Sequence, residues 1–362
     1  MNASGDSIST WDFWRSAAHV PLDTPVWIVS IIALIFTYVV VILPSGAVMS
    51  YFERKLSADL QARVGPNRAG PAGILQPISD FLKLLQKQSR EHWSWREAVW
   101  LGVHTMALYS TVAVLPLGSH GLLIDTDMSA FLPFWATLVF ALGTMLVGLS
   151  QKTVPGWFGG LRVASQAMAA AFPAAIAILC AGVHAGSLKW SGLAAGQGAY
   201  PYQWAMVSDP FQVIAFLVFV ISGLVLMGIP PLDGGMSIPD IHGGVASQVH
   251  GRRMMLFRLS RFYGFFLWSV IAVTLFLGAW QLPEALVSGM ERSQAWGWLH
   301  FLEVSTLLVK TFLVMIGVIL VATVTPRLRS DQVTDLAWKV LSPFGLMALA
   351  GTALVTGWRL WT

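Results

Sequence analysis

The segment from Glu53 to Lys87 reads ERKLSADLQARVGPNRAGPAGILQPISDFLKLLQK. It gathers Glu53, Arg54, Lys55, Gln61, Arg63, Arg68, Asp80 and Lys83 in a chain of which only 11% is charged. Guanidinium groups hold carboxylates in two-pronged pairs, which suits a permanent interface. A few polar groups beside an apolar path also fix a ligand's headgroup. Such groups could serve a binding or docking surface, while composition alone reads the segment as positive-inside charge joined to an interfacial helix. Gly65-Pro66-Asn67-Arg68 carries turn signals, because proline fixes one torsion and asparagine tolerates the next. Gly70, Pro71 and Gly73 follow. From Gln76 the pattern becomes helical. Ile74, Ile78, Phe81, Leu82 and Leu85 share one face, and Asp80, Lys83 and Lys87 the other. Pro77 suits a first helical turn. The spacing predicts a short amphipathic helix at a membrane surface.

Other candidate groups are scattered. Glu303 and Lys310 stand seven residues apart, two helical turns on one face. They can pair or reach opposite interfaces. Separate structural roles are expected, with Lys310 the functional candidate. His104 and His184 occupy uncharged runs with no visible acid partner and read as core residues. His242 and His250 can titrate near neutral pH, but loop histidines without a partner are usually ordinary. The lone Cys180 cannot form an intrachain disulfide, and an iron–sulfur cluster needs about four thiolates. Gly196-Gln197-Gly198 lacks the third glycine and the strand context of a dinucleotide fingerprint. The sequence shows no Walker A motif, no paired Cys/His ligands and no Ser/His/Asp set. It offers no flavin, nicotinamide, cluster or metal site of its own.

These groups must be positioned by apolar elements, since 56% of the chain is hydrophobic. Residues 24–52, 98–124, 128–151, 163–188, 211–232, 262–283 and 340–358 contain no Asp, Glu, Lys or Arg. Lys310 alone breaks the run 304–324. A bilayer core needs about 20 apolar residues per helix, and backbone groups in lipid must be bonded internally. The expectation is an all-α polytopic membrane protein, one membrane domain over 1–362, with about eight transmembrane helices and the interfacial helix in its first loop. The spans are placed at 26–48, 98–118, 130–150, 163–186, 211–229, 262–281, 303–324 and 340–358. The loops at 49–97, 151–162, 230–261 and 325–339 hold 17 of the 22 Lys and Arg residues. That bias puts them in the cytoplasm and both termini outside. It also accounts for the net positive charge through the membrane potential and anionic lipid, without nucleic acid. The first 25 residues carry four charges and do not read as a signal peptide, so the first span is expected to be an uncleaved anchor. No internal repeat favours an inverted-repeat transporter.

The order of residues in the first loop resembles the H subunit of respiratory complex I, the proton-pumping NADH:quinone oxidoreductase. The match runs through Glu53, Arg54, Lys55, Gln61, Arg63, Gly65, Pro66, Asn67, Arg68, Gly70, Pro71, Gly73, Leu75, Gln76, Pro77, Asp80, Lys83 and Leu84. Thr325-Pro326-Arg327-Leu328-Arg329-Ser330-Asp331-Gln332, with Trp338-Lys339 and Pro343, is similar to the family's segment between its last two spans. Gly160-Leu161-Arg162 with Gln166, and Lys310-Thr311-Phe312, resemble it more weakly. The resemblance covers nearly the whole chain. It implies that Glu53, Arg54, Lys55, Gln61, Arg63, Gly65, Pro66, Asn67, Arg68, Gln76, Asp80 and Lys83, with Asp233 and Asp240, form a quinone-tunnel mouth and docking surface. Arg327, Arg329 and Asp331 would face the peripheral arm. No catalytic residue and no bound cofactor are implied for this chain. Quinone would be the substrate, and FMN and iron–sulfur clusters would belong to partner subunits. The implied partners are the quinone-site peripheral subunits, neighbouring membrane subunits and lipid. The implied location is a bacterial inner membrane.

The sequence also departs from the family pattern. Pro231, Asp233 and Gly244 are kept, and Asp240 shortens one glutamate. Leu226, Met236, Ile238, Gln248 and Arg261 stand at acidic positions, Ile229 and Ala322 at arginines, and Ala169-Ala170-Ala171 at Ser-Tyr-Glu. No acid occurs between Asp127 and Asp209. Ionisable groups inside a bilayer usually persist as proton or ion paths, so two readings follow: an H subunit whose acids are relocated, or, as preferred here, a divergent relative that keeps the docking surface and cavity with altered proton coupling. The alternative is a membrane anchor subunit of a related energy-converting hydrogenase or formate hydrogenlyase. The long first-loop match fits the quinone enzyme better, and a neighbouring gene for a nickel-site large subunit would point to the hydrogenase.

Overall fold

A computed structural model describes residues 26–39, 43–87, 95–119, 122, 124–151, 153–235, 244–292 and 296–361. Among these residues the regular structure is entirely helical. In chain order the helices are α1 (Val26–Thr37), α2 (Leu43–Leu60), α3 (Gln76–Gln86), α4 (Trp95–Tyr109), α5 (Phe131–Ser150), α6 (Val154–Ala185), α7 (Trp190–Ala195), α8 (Ala205–Ser208), α9 (Pro210–Met227), α10 (Arg252–Phe276), α11 (Glu284–Arg292), α12 (Trp296–Val324), α13 (Ser330–Leu336) and α14 (Ser342–Trp361).

Six helical stretches are long and apolar enough to cross a membrane: α5, α6, α9, α10, α12 and the continuous run 330–359 through α13 and α14. In that run a π segment, Ala337–Leu341, joins the two helices. The two other stretches expected to span are not among these six. Helices α1 and α2 lie within the first of them or run on from it, and α4 continues into a short 3-10 segment, Ser110–Val114. Helices α6 and α10 begin at Val154 and Arg252, well before the uncharged runs inside them. Charge ends an apolar run, but it does not end a helix, whose backbone bonds need no apolar side chain.

Local signals fix several ends. The Asp209 carboxylate accepts from the Phe211 N–H at 2.9 Å and caps α9, whose first residue is Pro210. Gly228 closes α9 in the left-handed region, with φ 59°. Gly186 closes α6 in the same way, with φ 68°. These are the side-chain cap and glycine terminator that helix ends require.

Helix α10 is the core of the bundle, with Tyr263, Phe266, Trp268 and Phe276 all buried. Trp268 stacks on Phe219 of α9 with ring centroids 4.3 Å apart, and its indole N–H donates to the Phe219 carbonyl at 3.0 Å. Gly223 makes this fit possible, because a methyl group there would lie 1.7 Å from the indole nitrogen. Lipid supplies no hydrophobic drive between helices, so close backbone approach over small residues carries much of the packing. Gly223→Ala is therefore expected to cost about 1–3 kcal/mol through overpacking. Gly317 of α12 has open space around its Cα, so Gly317→Ala should be neutral or stabilising by up to ~1 kcal/mol. Thermal unfolding of the detergent-purified chain, followed by tryptophan fluorescence, checks the contrast. Equal shifts for both variants would refute this account.

Candidate functional site

The first-loop residues are held by a small set of ties. Glu53, Arg54, Lys55 and Ser57 leave the last turns of α2. The Arg54 guanidinium pairs with the Asp80 carboxylate of α3, and the Gln76 side-chain amide donates to the other Asp80 oxygen at 3.1 Å. The loop between folds back on itself. Gly73 has φ +81°, and a methyl group there would lie 2.2 Å from the Pro66 carbonyl oxygen. Ala72 takes φ +52°, and its carbonyl accepts from the Tyr51 hydroxyl at 3.0 Å. Helix α3 buries none of its residues. Its apolar face, with Ile78, Phe81, Leu82 and Leu85, is exposed as an interfacial helix requires.

Two cavities adjoin at this end of the bundle. The outer one, of about 500 Å³, lies between α2, the turn at Arg63–Pro66, and Arg258 and Arg261 of α10. The inner one, of about 300 Å³, lies between α2, α10, α12 and the segments after α9 and α12. Glu53, Ser57, Arg261 and Phe262 line both and form the partition. Met49, Ile229, Phe265, Val318 and Ile319 make the inner walls apolar, while Glu53, Gln61, Thr323 and Arg327 supply polar groups. The inner volume sits at the lower end of small-molecule sites, which combine apolar walls with a few polar groups in this way. Ile229, Arg261 and Ala322, three of the departures read in the sequence, line this one chamber.

The predicted site residues divide accordingly. Glu53, Arg54, Gln61, Arg63, Gly65, Pro66 and Arg327 line one or both cavities. Lys55 packs its stem beside Gly65. Gln76 and Asp80 brace Arg54 from behind. Asn67, Arg68 and Lys83 are exposed and line neither cavity. Asp233 is buried and lies 3.9 Å from the Arg327 guanidinium, which ties the third loop to the segment after α12. The Leu328 N–H donates to the Pro231 carbonyl at 3.0 Å in the same seam. Arg329 and Asp331 pair at 3.4 Å on the exposed surface. Asp240 lies outside the described residues, as does His242.

Lys310 is elsewhere. Its ammonium donates to the Gly278 and Ala279 carbonyls at 3.2 and 3.1 Å and sits 4.8 Å over the Trp204 ring. Along α12 this is about 12 Å or more from the chamber residues, at 1.5 Å per residue. Glu303 instead accepts from the Ser119 N–H and hydroxyl, so the two charges have separate partners. His104 is a core residue, stacked on Phe257 at 4.7 Å with its Nδ1 2.9 Å from the Thr144 hydroxyl. For His184 the absence of an acid partner is corrected. The buried Asp209 lies 3.8 Å from its Nδ1, contributed by another part of the chain that helical spacing cannot register. Gln197 of the Gly-Gln-Gly sequence is buried, and it ties the ends of α7 and α10 together through Thr274, Leu275 and Gly278. Arg258, Phe265 and Val318 join the site only through packing between distant helices. The Arg258 and Arg261 spacing of three is the sole hint of them in the sequence.

The architecture defines the class: a polytopic helical membrane protein with an arginine-rich, two-part cavity at its basic end. Comparison with known proteins specifies it. A family model described as NADH dehydrogenase matches residues 32–353. The H subunit of NADH-quinone oxidoreductase from Anaeromyxobacter dehalogenans is 29% identical over 371 residues, covering 98% of this chain and 87% of the relative. The H subunit from Chlorobaculum parvum is 28% identical over 365 residues, covering 97% and 98%. That from Rubrobacter xylanophilus is 30% identical over 321 residues, covering 88% and 93%. The chain belongs to this family of membrane subunits and is a divergent member of it.

The outer cavity depends on the loop fold, and the loop fold depends on Gly73. Gly73→Val places a branched side chain at positive φ against the Pro66 backbone, a strain of at least about 1–2 kcal/mol. The loop should open locally. Faster tryptic cleavage after Arg63 and Arg68, with unfolding of the bundle little changed, is the expected result. Unchanged cleavage would show that the turn does not need glycine.

Proposed function

We propose that this chain is the membrane subunit of a complex I-type NADH–quinone oxidoreductase that forms the quinone-access chamber and carries the docking surface for the peripheral arm. The single observation that supports this most is the inner cavity, with its apolar walls and with Glu53, Gln61 and Arg327 at hand for a headgroup. An isoprenoid quinone combines an apolar tail with a head carrying two carbonyl oxygens, and such a site complements both parts. Electrons reach the quinone from FMN and iron–sulfur clusters held by partner subunits, and this chain supplies position and exclusion of water. The exposed Arg68, Lys83, Arg329 and Asp331 belong to the face on which those partners dock. In this reading the basic loops face the cytoplasm of a bacterial inner membrane and both termini lie outside.

Proton coupling differs from that of a typical family member. Ile229 and Ala322 remove guanidinium groups from the chamber wall, Arg261 inverts an acidic position beside it, and Leu226 is a buried apolar residue in α9. With fewer ionisable groups leading away from the chamber, quinone reduction transmits less to neighbouring membrane subunits.

Two measurements test these statements. Ala322→Phe fills the chamber and should lower quinone reduction by the assembled complex about tenfold or more, since small displacements at a reacting site carry large penalties. Reduction of a water-soluble artificial acceptor upstream should be unchanged. Normal quinone reduction by the intact variant complex would sink the chamber assignment. Separately, the reconstituted native complex should pump fewer protons per electron than a typical complex I. A normal ratio would refute the altered coupling and leave the chamber assignment standing.

A further inference from the structure

We infer that the outer cavity is a binding site for the phosphate headgroup of an anionic phospholipid. The inference does not rest on quinone chemistry and needs no turnover to test.

The charges around this cavity do not balance. Arg54, Arg63, Arg258 and Arg261 surround it, opposed by Glu53 in the wall and Asp80 behind Arg54. Asp80 is committed to Arg54. Among the described residues, no carboxylate lies within 4.0 Å of Arg63, Arg258 or Arg261. Arg258 is half-buried on α10 and within electrostatic range of Arg54, Arg261, Glu53 and Asp80 together. Four guanidinium groups thus face two carboxylates, which leaves a positive surplus. Like charges held near a low-dielectric wall repel more strongly than in water, and an anion between them relieves that repulsion. The planar guanidinium fork matches phosphate oxygens and binds them in pairs.

The surroundings select a lipid over a free phosphate. Phe262, Val64 and Ala58 give the cavity an apolar side. Val64 is exposed at its rim, and α3, which Asp80 ties to this wall, exposes Ile78, Phe81, Leu82 and Leu85. An acyl chain would lie along this collar while the phosphate occupies the arginine cluster. The cavity is also at the interfacial helix, the depth at which a lipid headgroup sits. Its volume of about 500 Å³ accommodates a phosphoglycerol headgroup.

The test uses the full chain in its purified complex, reconstituted in phosphatidylcholine nanodiscs doped with phosphatidylglycerol. Lipid held by the protein after detergent exchange is counted by native mass spectrometry. Phosphatidylglycerol should be retained in preference to phosphatidylcholine. Arg258→Gln with Arg261→Gln should weaken this preference about 30-fold, at roughly 1 kcal/mol per arginine near a lipid phosphate. Arg258→Lys with Arg261→Lys keeps the charge without the fork and should retain a preference between those of the native chain and the Gln variant, which separates a lost site from a misfolded chain. Lys339→Gln, on the exposed surface in a pair with Asp335, should change nothing. Displacement of the lipid by inorganic phosphate alone would overturn the lipid assignment in favour of a free anion. Equal retention of both lipids, or the same loss in the Lys339→Gln control, would overturn the site itself. Lipid preference without quinone reduction would support this site and count against the quinone reading alone.

Discussion

Backbone amides and carbonyls have no water to bond in a bilayer, and this requirement shapes the whole chain. It makes long helices the form of six apolar runs among the described residues. It confines irregular backbone, and most of the charge, to the places where helices end. The two-part cavity lies at such a place, where α2 ends, α10 begins and the segments after α9 and α12 cross. Lys310 shows the same requirement inside the bundle, because its ammonium satisfies carbonyls just beyond the end of α10.

At the basic end, stiffness comes from geometry more than from charge. A glycine at positive φ lets the loop lie directly on the Pro66 backbone. The Arg54–Asp80 pair, with Gln76 on the second carboxylate oxygen, then fixes α3 against α2. A partly exposed ion pair contributes little global stability. Its effect here is to hold one wall of a cavity at a set distance from α10. The buried Asp233 holds a residue of the inner chamber, Arg327, in a similar way.

Charge distribution gives the site its character. The inner chamber has apolar walls with few ionisable groups, whereas the outer cavity gathers arginines from α2, the loop and α10. Glu53 and Arg261 stand with Ser57 and Phe262 in the partition, so the wall common to both cavities carries opposite charges. Elsewhere the bundle treats its charges as structural ties. Glu303 secures Ser119, Asp209 caps α9 beside His184, and Asp125 accepts from Trp190 and Ser191 at the start of α7.

Much of the fold was legible in the sequence, because the requirement for internal backbone bonding acts on composition alone. Uncharged runs marked the helices of α5 and α9 closely and the end of α12, and the spacing of Ile78, Phe81, Leu82 and Leu85 marked α3. Helix starts such as Val154 and Arg252 were not legible, since a polar residue neither ends nor begins a helix by itself. The first-loop residues Glu53, Arg54, Gln61 and Arg63 were visible as a group, because their chemistry is local in the chain. Only the tertiary structure decided what they face. Arg258, Arg261, Phe265, Val318 and Ala322 reach the cavity from helices far apart in sequence, and Asp209 meets His184 in the same way. Such meetings depend on how helices pack over small residues such as Gly223, and packing of that kind leaves no periodic trace in either partner.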